Sequence, residues 1–380
     1  MKDKKEIRVG QVGHMFMGVA HSNAFRNAAA MYDLPYKIIM KAVCGKDTDE
    51  NLAAFADRFG WESYEQDWKK LVKRDDIDLI CIAAPGFLHK DIAVEAAKNG
   101  KHILSEKPLA NTLAEAEEMV EAVESAGVRH CCGYTYRMTP AQAMAKQLFD
   151  QGRIGRVYDV FVRYAQDWLC DPNFAYVWRH DKELAGSGAL GDICAHSIDG
   201  VRFITGMDIT KLVSQMKTLI TERPVDAGKP NGEKAKVTVD DVAQFLCEFD
   251  NGAPGCFEAS RMAMGRRNYN SIEIAGDKGS LFWTFEEQNY LYFFDNTRPS
   301  TEQGFSKINC THNDHPYGGG YWPIGHGLGY GDMFINQARL FLNAIVENKE
   351  FHPDFVDGLK VQQVLDAIER SANIQNWVSL

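Results

Sequence analysis

Ile7-Arg8-Val9-Gly10-Gln11-Val12-Gly13-His14-Met15-Phe16-Met17-Gly18 is the stretch whose reading decides the fold. Ile7 to Val12 reads as a short, buried parallel strand. Gly13 to Gly18 reads as a turn, and the alanine-rich run from Val19 to about Met31 reads as a helix. A strand, a glycine-marked turn and a helix are the parts of the dinucleotide fingerprint G-x-G-x-x-G, in which backbone wraps a pyrophosphate at a helix amino terminus. Gly13 and Gly18 fill the first and third places, and Met15 stands where the second glycine should be. That glycine normally lets the backbone approach the phosphates. By itself the turn fits a glycine-bounded bend before a core helix equally well.

The following residues repeat the unit. Lys37 to Cys44 reads as a strand ending in Gly45-Lys46-Asp47, and Leu52 to Phe59 has helical periodicity. Asp78 to Ala83 is another buried strand, followed by Ala84-Pro85-Gly86 and a helix from Ile92 to Lys98. His102-Ile103-Leu104 precedes Ser105-Glu106-Lys107-Pro108-Leu109-Ala110. A helix from Leu113 to about Ser125 and a strand from Val128 to Tyr134 follow. Alternating strands and helices predict a doubly wound parallel sheet over residues 1–134. In such sheets the end of the second strand selects the cofactor: an acid holds the adenosine ribose of NAD, and a basic residue suits the phosphate of NADP. Lys46 and Asp47 give both signals, and the lack of an accompanying arginine favours NAD.

After Pro140 the character changes, and residues 135–380 read as a second domain. A helix is expected from Ala141 to Gln151 and a strand from Val157 to Ala165. Gly186-Ser187-Gly188-Ala189-Leu190-Gly191 leads into a helix running from Asp192 to about Ile204. Strands are expected at 211–220, 242–249, 255–261, 271–275, 280–285 and 290–294, with hairpin turns at Asn251-Gly252 and Asp277-Lys278-Gly279. Thr221 to Lys236 reads as a mobile loop. Pro316 to Asp332 gathers glycines beside Tyr317, Tyr321, Trp322 and Tyr330, and two helices, Met333–Val346 and Gly358 to about Asn376, close the chain. The predicted class is α/β: a doubly wound parallel sheet, then an α/β domain with a large open, mainly antiparallel sheet. Phe257, Phe282, Phe285, Leu291 and Phe293 could give that sheet a face for another subunit, or helices of the same chain could cover it.

The chain has 380 residues, enough for two cores, with 45% apolar residues and a formal net charge of −10. That balance argues against nucleic acid, which needs a basic face. No apolar run is long enough to span a bilayer, and no signal region precedes the first strand. Nine cysteines without a Cys-x-x-Cys pair point to a reduced, cytoplasmic setting and to no metal site.

Three residue types suggest chemistry. Residues four apart on a helix share a face, so Asp192 and His196 would present a carboxylate and an imidazole together. Oxidising an alcohol requires loss of a hydride from carbon and a proton from oxygen. A histidine titrates in the useful range for taking that proton, and an ammonium at Lys107 would stabilise the developing alkoxide.

Gly13 to Gly18, Glu106-Lys107-Pro108 and Gly191-Asp192-x-x-x-His196, in this order, resemble the glucose-fructose oxidoreductase / inositol dehydrogenase / MocA family over almost the whole chain. The resemblance implies an amino-terminal Rossmann domain, a carboxyl-terminal α/β domain whose open sheet packs between subunits, and NAD or NADP used on sugars, inositols and related polyols. It implies catalytic Lys107, Asp192 and His196. Cofactor contacts would come from Gly13, Met15, Phe16, Met17, Lys46, Ala84, Pro85, His89, Glu106, Lys107, Trp178 and Arg179. Substrate contacts would come from Tyr136, Gln166, Asp167, Asp192 and Tyr330.

Within the family, Gln166-Asp167-Trp168, Glu222-Arg223-Pro224, His315-Pro316-Tyr317-Gly318 and Gly329-Tyr330-Gly331 look like the branch of levoglucosan dehydrogenase and related glycoside 3-dehydrogenases. Met15, Lys46 and Thr135 depart from that branch, at positions that bear on cofactor preference and substrate. The expectation is oxidation of the hydroxyl on the third carbon of a glucopyranose ring by a homo-oligomer, a tetramer or larger, with a 3-oxo sugar as a possible acceptor for a retained cofactor. An inositol dehydrogenase and a non-catalytic NAD-binding sensor are the competing expectations.

Overall fold

The computed structural model describes residues 4–318 and 322–380, so Tyr321 lies outside the described residues. The chain forms two compact units: Met1–Met138 with Leu328–Lys360, and Thr139–Gly327 with Val361–Leu380. The division is not a single cut in the sequence.

The first unit opens with β1 (Lys5–Val12), α1 (Phe16–Met31), β2 (Tyr36–Cys44) and α2 (Asp49–Phe59). Then come β3 (Ser63–Glu65), α3 (Trp68–Val72), β4 (Leu79–Ile82), α4 (His89–Lys98), β5 (His102–Ser105), α5 (Leu113–Ala126) and β6 (His130–Cys132). The six strands form one sheet in the order β3-β2-β1-β4-β5-β6, all parallel. Val9, Leu79, Ile80, Ile103 and Leu104 are fully buried, as the unbroken apolar runs require in a sheet covered on both faces. The order reverses between β1 and β4, and such a switch point opens a crevice at the carboxyl ends of the strands. β3 and α3 escaped the sequence reading because three- and five-residue elements carry no measurable periodicity. α1 begins at Phe16 rather than Val19, so the second half of the glycine turn is already helix.

The second unit contains α6 (Pro140–Asp150), β7 (Val157–Ala165), α7 (Lys182–Ala185), α8 (Ala195–Thr205), β8 (Ile209–Lys217), β9 (Glu222–Pro224) and β10 (Lys234–Lys236). β11 (Val242–Phe249), β12 (Pro254–Ser260), β13 (Tyr269–Gly276), β14 (Gly279–Thr284), β15 (Tyr290–Asp295), β16 (Ser306–Asn309) and β17 (Val378–Ser379) complete it. Nine strands form a mixed sheet in the order β16-β15-β14-β13-β7-β12-β11-β8-β17. Only β7 and β12 pair in parallel; the other pairs are antiparallel.

One sheet face carries Phe245, Phe257, Val162, Ile272, Trp283 and Leu291 as successive cross-strand partners. All are buried, and α6 and α8 pack on this side against β7 and β13–β15. Phe257, Leu291 and Phe293 therefore cover the sheet from within, not toward a partner. The opposite face carries Val213, Leu246, Cys256, Phe161, Glu273, Phe282, Tyr292 and Lys307 in one continuous row. Phe161 and Leu246 are each about half exposed there. The odd–even alternation sets which side each residue takes, and a single-residue offset in reading it exchanges the faces.

The stretch 221–236, expected as a mobile loop, holds the β9–β10 antiparallel ribbon. Its anchor is Arg223, fully buried, which donates to the carbonyls of Asp171 at 2.8 Å and Leu169 at 2.7 Å. Two helices close the chain, α9 (Tyr330–Glu347) and α10 (Phe355–Ile374). α9 packs on α1, and Tyr36 in β2 donates its hydroxyl to Asn343 at 2.9 Å. Long-range contact, not chain order, brings α9 into the first unit. Among the described residues no helix is long and apolar enough to cross a membrane, and all nine cysteines are free thiols.

Candidate active site

In the first unit, the turn after β1 is built by close approach. Gly13 has φ +110°, and a Cβ there would lie 2.2 Å from the carbonyl oxygen of Ala83. A Cβ on Gly18 would lie 2.3 Å from the carbonyl oxygen of Gly13. Only glycine fits either position. Gln11 staples the turn from below: its buried amide donates to the carbonyls of Gly13 (2.9 Å) and Gly18 (3.0 Å) and to Ser22 Oγ (3.1 Å). The sequence reading passed over Gln11, although a lone amide inside an apolar strand was the available signal.

Met15 precedes the first residue of α1, with no side-chain cap and no acidic residue in the first turn. The uncapped N–H groups of a helix start suit an anion such as a pyrophosphate. Met15 and Phe16 point outward, and Phe16 stacks on Tyr330 with ring centroids 6.0 Å apart.

Ala84, Pro85, His89, Glu106 and Lys107 gather at the carboxyl ends of β4 and β5. His89 is buried, with Nε2 2.9 Å from the Ala84 carbonyl and Nδ1 3.1 Å from the Pro108 carbonyl, so it ties the two segments together. Burial lowers its pKa against the pull of those carbonyls. The Lys107–Pro108 peptide bond is cis. Lys46 and Asp47 sit at the end of β2, where Asp47 Oδ2 lies 3.0 Å from His14 Nε2.

Glu106 is buried and holds His21 Nε2 at 2.7 Å. Burial opposes a charge on His21, but Cys81 and Glu106 beside it outweigh that cost and raise its pKa from 6.5 to about 10. A pKa raised by folding gives stability that is complete below pH 6.5 and is lost as pH climbs to about 10. The urea midpoint of the wild type is therefore expected to fall across that window more steeply than that of His21→Gln. Equal slopes would contradict the charged pair.

In the second unit, residues Leu190–Cys194 form a single π-helical turn that runs into α8. The expected regular helix from Asp192 is thus corrected: Asp192 sits in the widened turn and His196 in the first turn of α8. Such π turns recur at functional sites. Its origin is Asp240, whose buried carboxylate accepts from Gly188 N at 2.6 Å and Leu190 N at 2.8 Å. Burial raises the Asp240 pKa, while Arg261 and these two N–H groups oppose the rise. A Cβ on Gly188 would fall 1.7 Å from the Asp240 carbonyl oxygen, which explains a glycine in the middle of the 186–191 run.

Two guanidinium groups flank Asp192: Arg179 Nη1 is 3.7 Å from Oδ1 and Arg261 Nη1 is 3.7 Å from Oδ2. Arg261 is 1% exposed, donates to the Asp240 carbonyl at 3.0 Å and lies over the Trp168 ring. Arg179 also lies over Trp178, 4.5 Å from the ring centroid. His196 is nearly buried, its ring 6.2 Å from that of Tyr164.

Gln166 donates to Asn268 Oδ1 at 2.8 Å and accepts from Trp168 Nε1 at 3.0 Å, and Tyr164 donates to the same Asn268 oxygen at 2.7 Å. Asp167 turns away from this group: its oxygens meet Arg267 at 3.3 Å and Gly265 N at 3.1 Å, holding the β12–β13 loop. Arg261, Asp240 and Asn268 were not singled out from the sequence; they reach the site from strand ends far along the chain. Tyr136, in the first unit, is buried.

Known proteins now bear on this geometry. Residues 7–134 match the profile of an oxidoreductase family with an NAD-binding Rossmann fold, and residues 143–282 match the GFO/IDH/MocA C-terminal domain. Levoglucosan dehydrogenase of Pseudarthrobacter phenanthrenivorans is 39% identical over 99% of this chain and 98% of its own. The chain belongs to the GFO/IDH/MocA oxidoreductase family. The crystal structure of an oxidoreductase domain protein from Kribbella flavida superposes with a TM-score of 0.95 at 46% identity, covering 99% of both chains. Levoglucosan dehydrogenase in complex with NADH and levoglucosan superposes with a TM-score of 0.94 at 38% identity, again covering 99% of both. Glucose-6-phosphate 3-dehydrogenase of Bacillus subtilis is 25% identical over 97% of each chain. As a member of this family the chain is an oxidoreductase with NAD as cofactor. The glycine-only turn and the uncapped start of α1 fit the pyrophosphate of that group.

Proposed function

We propose that this protein is an NAD-dependent sugar dehydrogenase that oxidises the hydroxyl on the third carbon of a glucopyranose ring, in a free sugar, an anhydrosugar or a glucoside, to the 3-oxo sugar. The observation that carries the reading is the Asp192 carboxylate, held from two sides by Arg179 and Arg261 on the turn directly before His196. A polyol has several equivalent-looking hydroxyls, and selecting one requires fixing its neighbour. A carboxylate flanked by two guanidinium groups on the turn that leads into His196 is suited to do this.

In the proposed reaction His196 takes the hydroxyl proton, Lys107 stabilises the alkoxide as it forms, and Asp192 accepts from the adjacent hydroxyl and orients the ring. The C–H pair leaves as hydride while the C=O bond forms. NAD, when bound, supplies the hydride acceptor. Gln166 and Tyr330 are the further sugar contacts we favour. Tyr136 and Asp167 are weaker candidates, since the first is buried and the second is spent on the β12–β13 loop. The names of the relatives support the substrate class: one acts on levoglucosan and another is a 3-dehydrogenase. The test is turnover of purified protein with NAD and a panel of levoglucosan, glucose, glucosides and inositols, with the product identified by NMR. A ring ketone at the third carbon is expected; turnover of inositols alone would overturn the sugar assignment.

We further propose that the outward face of the nine-stranded sheet joins copies of the chain. Its row of Val213, Leu246, Cys256, Phe161, Phe282 and Tyr292 is broken between Phe161 and Phe282 by the exposed Glu273 and ends at Lys307; it is flanked by Arg163, paired to Glu258 at 2.9 Å, and by Gln215, paired to Gln244 at 2.8 Å. Exposed apolar side chains such as Phe161 and Leu246, rimmed by satisfied polar groups, are the pattern of an interface. Phe161→Asp with Leu246→Asp should convert the oligomer to monomer in light scattering. An unchanged mass would place the interface elsewhere.

A further inference from the structure

His21 takes no part in the proposed reaction, yet it is an imidazole only 1% exposed in the second turn of α1. A buried polar ring has to be satisfied from within the protein. The Phe25 ring lies stacked beside it at 6.4 Å, and the Phe334 ring of α9 meets it edge-on at 5.3 Å. Cys81 of β4 faces the same ring. So packed, the imidazole sets Nε2 2.7 Å from Glu106 Oε1.

Glu106 is held at its other oxygen too. Oε2 accepts from the N–H of Lys107 at 3.3 Å. Gly133, which follows β6, closes the third side. A Cβ there would lie 3.0 Å from Glu106 Oε1 and 3.2 Å from the Glu106 Cα, so the carboxylate fills space that this glycine leaves. Turning the carboxylate gives up one of its two bonds. His21, Glu106 and the Lys107 N–H thus make one buried chain of contacts from α1 to the segment after β5.

We propose that His21 is a positioning residue: through Glu106 it fixes the backbone from which Lys107 reaches the alkoxide. Its effect belongs in kcat and not in cofactor affinity, because Gln11, not His21, holds the glycine turn. Misplacing a reacting group by about 1 Å costs about 10²-fold in rate. The inference rests on the proposed role of Lys107, and the two fail separately. Undiminished turnover in Lys107→Ala removes that role. A slow Lys107→Ala beside a fast His21→Asn removes only this one.

Two amides provide the test. A Gln side chain carries its amide nitrogen about as far out as imidazole Nε2, and Asn stops one carbon short. Both are neutral, so the pair separates reach from charge. With NAD and the sugar turned over fastest in the substrate panel, His21→Asn is expected to lower kcat by about tenfold or more. It should bind NADH within about threefold of the wild type. His21→Gln should recover kcat to within about threefold of the wild type. A merely structural role would lower the urea midpoints of both variants and leave kcat unchanged in both while they are folded. Gly133→Ala is the second variant, needed if His21→Asn does not fold. The three nearest atoms its Cβ would meet all belong to Glu106, and kcat should fall by about threefold or more with NADH affinity kept. A folded Asn variant as fast as the wild type, a Gln variant as slow as the Asn one, a rate loss that tracks lost NADH affinity, or an unchanged kcat in Gly133→Ala would overturn the proposal.

Discussion

Lys107→Ala is expected to lower kcat/KM for the sugar by about 10²- to 10³-fold while the protein still binds NADH, the range seen when one charge-stabilising donor is removed. The backbone of this lysine is held on both sides. Its own N–H donates to Glu106 Oε2 at 3.3 Å, and the Pro108 carbonyl is 3.1 Å from the buried His89. Glu106 is in turn fixed by His21. Loss of the ammonium should therefore leave the segment in place and remove only the stabilisation of the alkoxide. His196→Ala should cost about 10²- to 10⁴-fold by removing the base. The double variant should cost far less than the product of the two, because both act on one proton transfer. Stopped-flow measurement of the hydride step, with NADH binding titrated separately, checks this. Lys107→Ala with undiminished turnover would refute the assignment.

The second large effect is expected at Gly188. Its Cβ would fall 1.7 Å from the Asp240 carbonyl oxygen, a backbone atom that cannot swing aside as a side chain can. Gly188→Ala must open the contact between the 186–191 run and the residue that accepts from Gly188 N and Leu190 N. The cost is expected at about 1–3 kcal/mol for the overpacking, with a further loss as the buried Asp240 carboxylate gives up N–H partners. The π turn that carries Asp192 then shifts, and misplacement of a reacting group by about 1 Å costs about 10²-fold in rate. The Gly188→Ala protein should unfold at lower urea and turn over at least about 10²-fold more slowly, while keeping its affinity for NADH. Wild-type turnover in this variant would mean that the turn does not set the position of Asp192.

Apart from β3 and α3, the parallel sheet was legible because its strands are short runs that end close to a glycine or proline, and the longer helices between them have clear periodicity. Gly13 and Gly18 mark close approaches that only glycine permits, which is why an incomplete fingerprint still gave the right fold. The Asp192–His196 spacing was visible, but the π turn was not. That turn depends on Asp240, which lies 50 residues away from Leu190, and no local pattern announces a hydrogen bond of that span. The same holds for His14 and Asp47, 33 residues apart, and for Arg261 beside Asp192. The ribbon in 221–236 was hidden because its three-residue strands are polar and its anchor, Arg223, reads as a surface charge. For Phe257, Leu291 and Phe293 the sequence left open whether another subunit or helices of the same chain cover them, and the helices of the same chain do. Alternation fixes which residues lie together, and only the packing of α6 and α8 shows which side is inward.

The central claim is that a hydride leaves the third carbon of a hexopyranose ring. The direct measurement is turnover of levoglucosan carrying deuterium at that carbon, with NAD, followed by mass spectrometry of the reduced cofactor. Deuterium in the cofactor and none in the 3-oxo product is the predicted result. Unlabelled reduced cofactor, with the deuterium retained in the sugar, would contradict it.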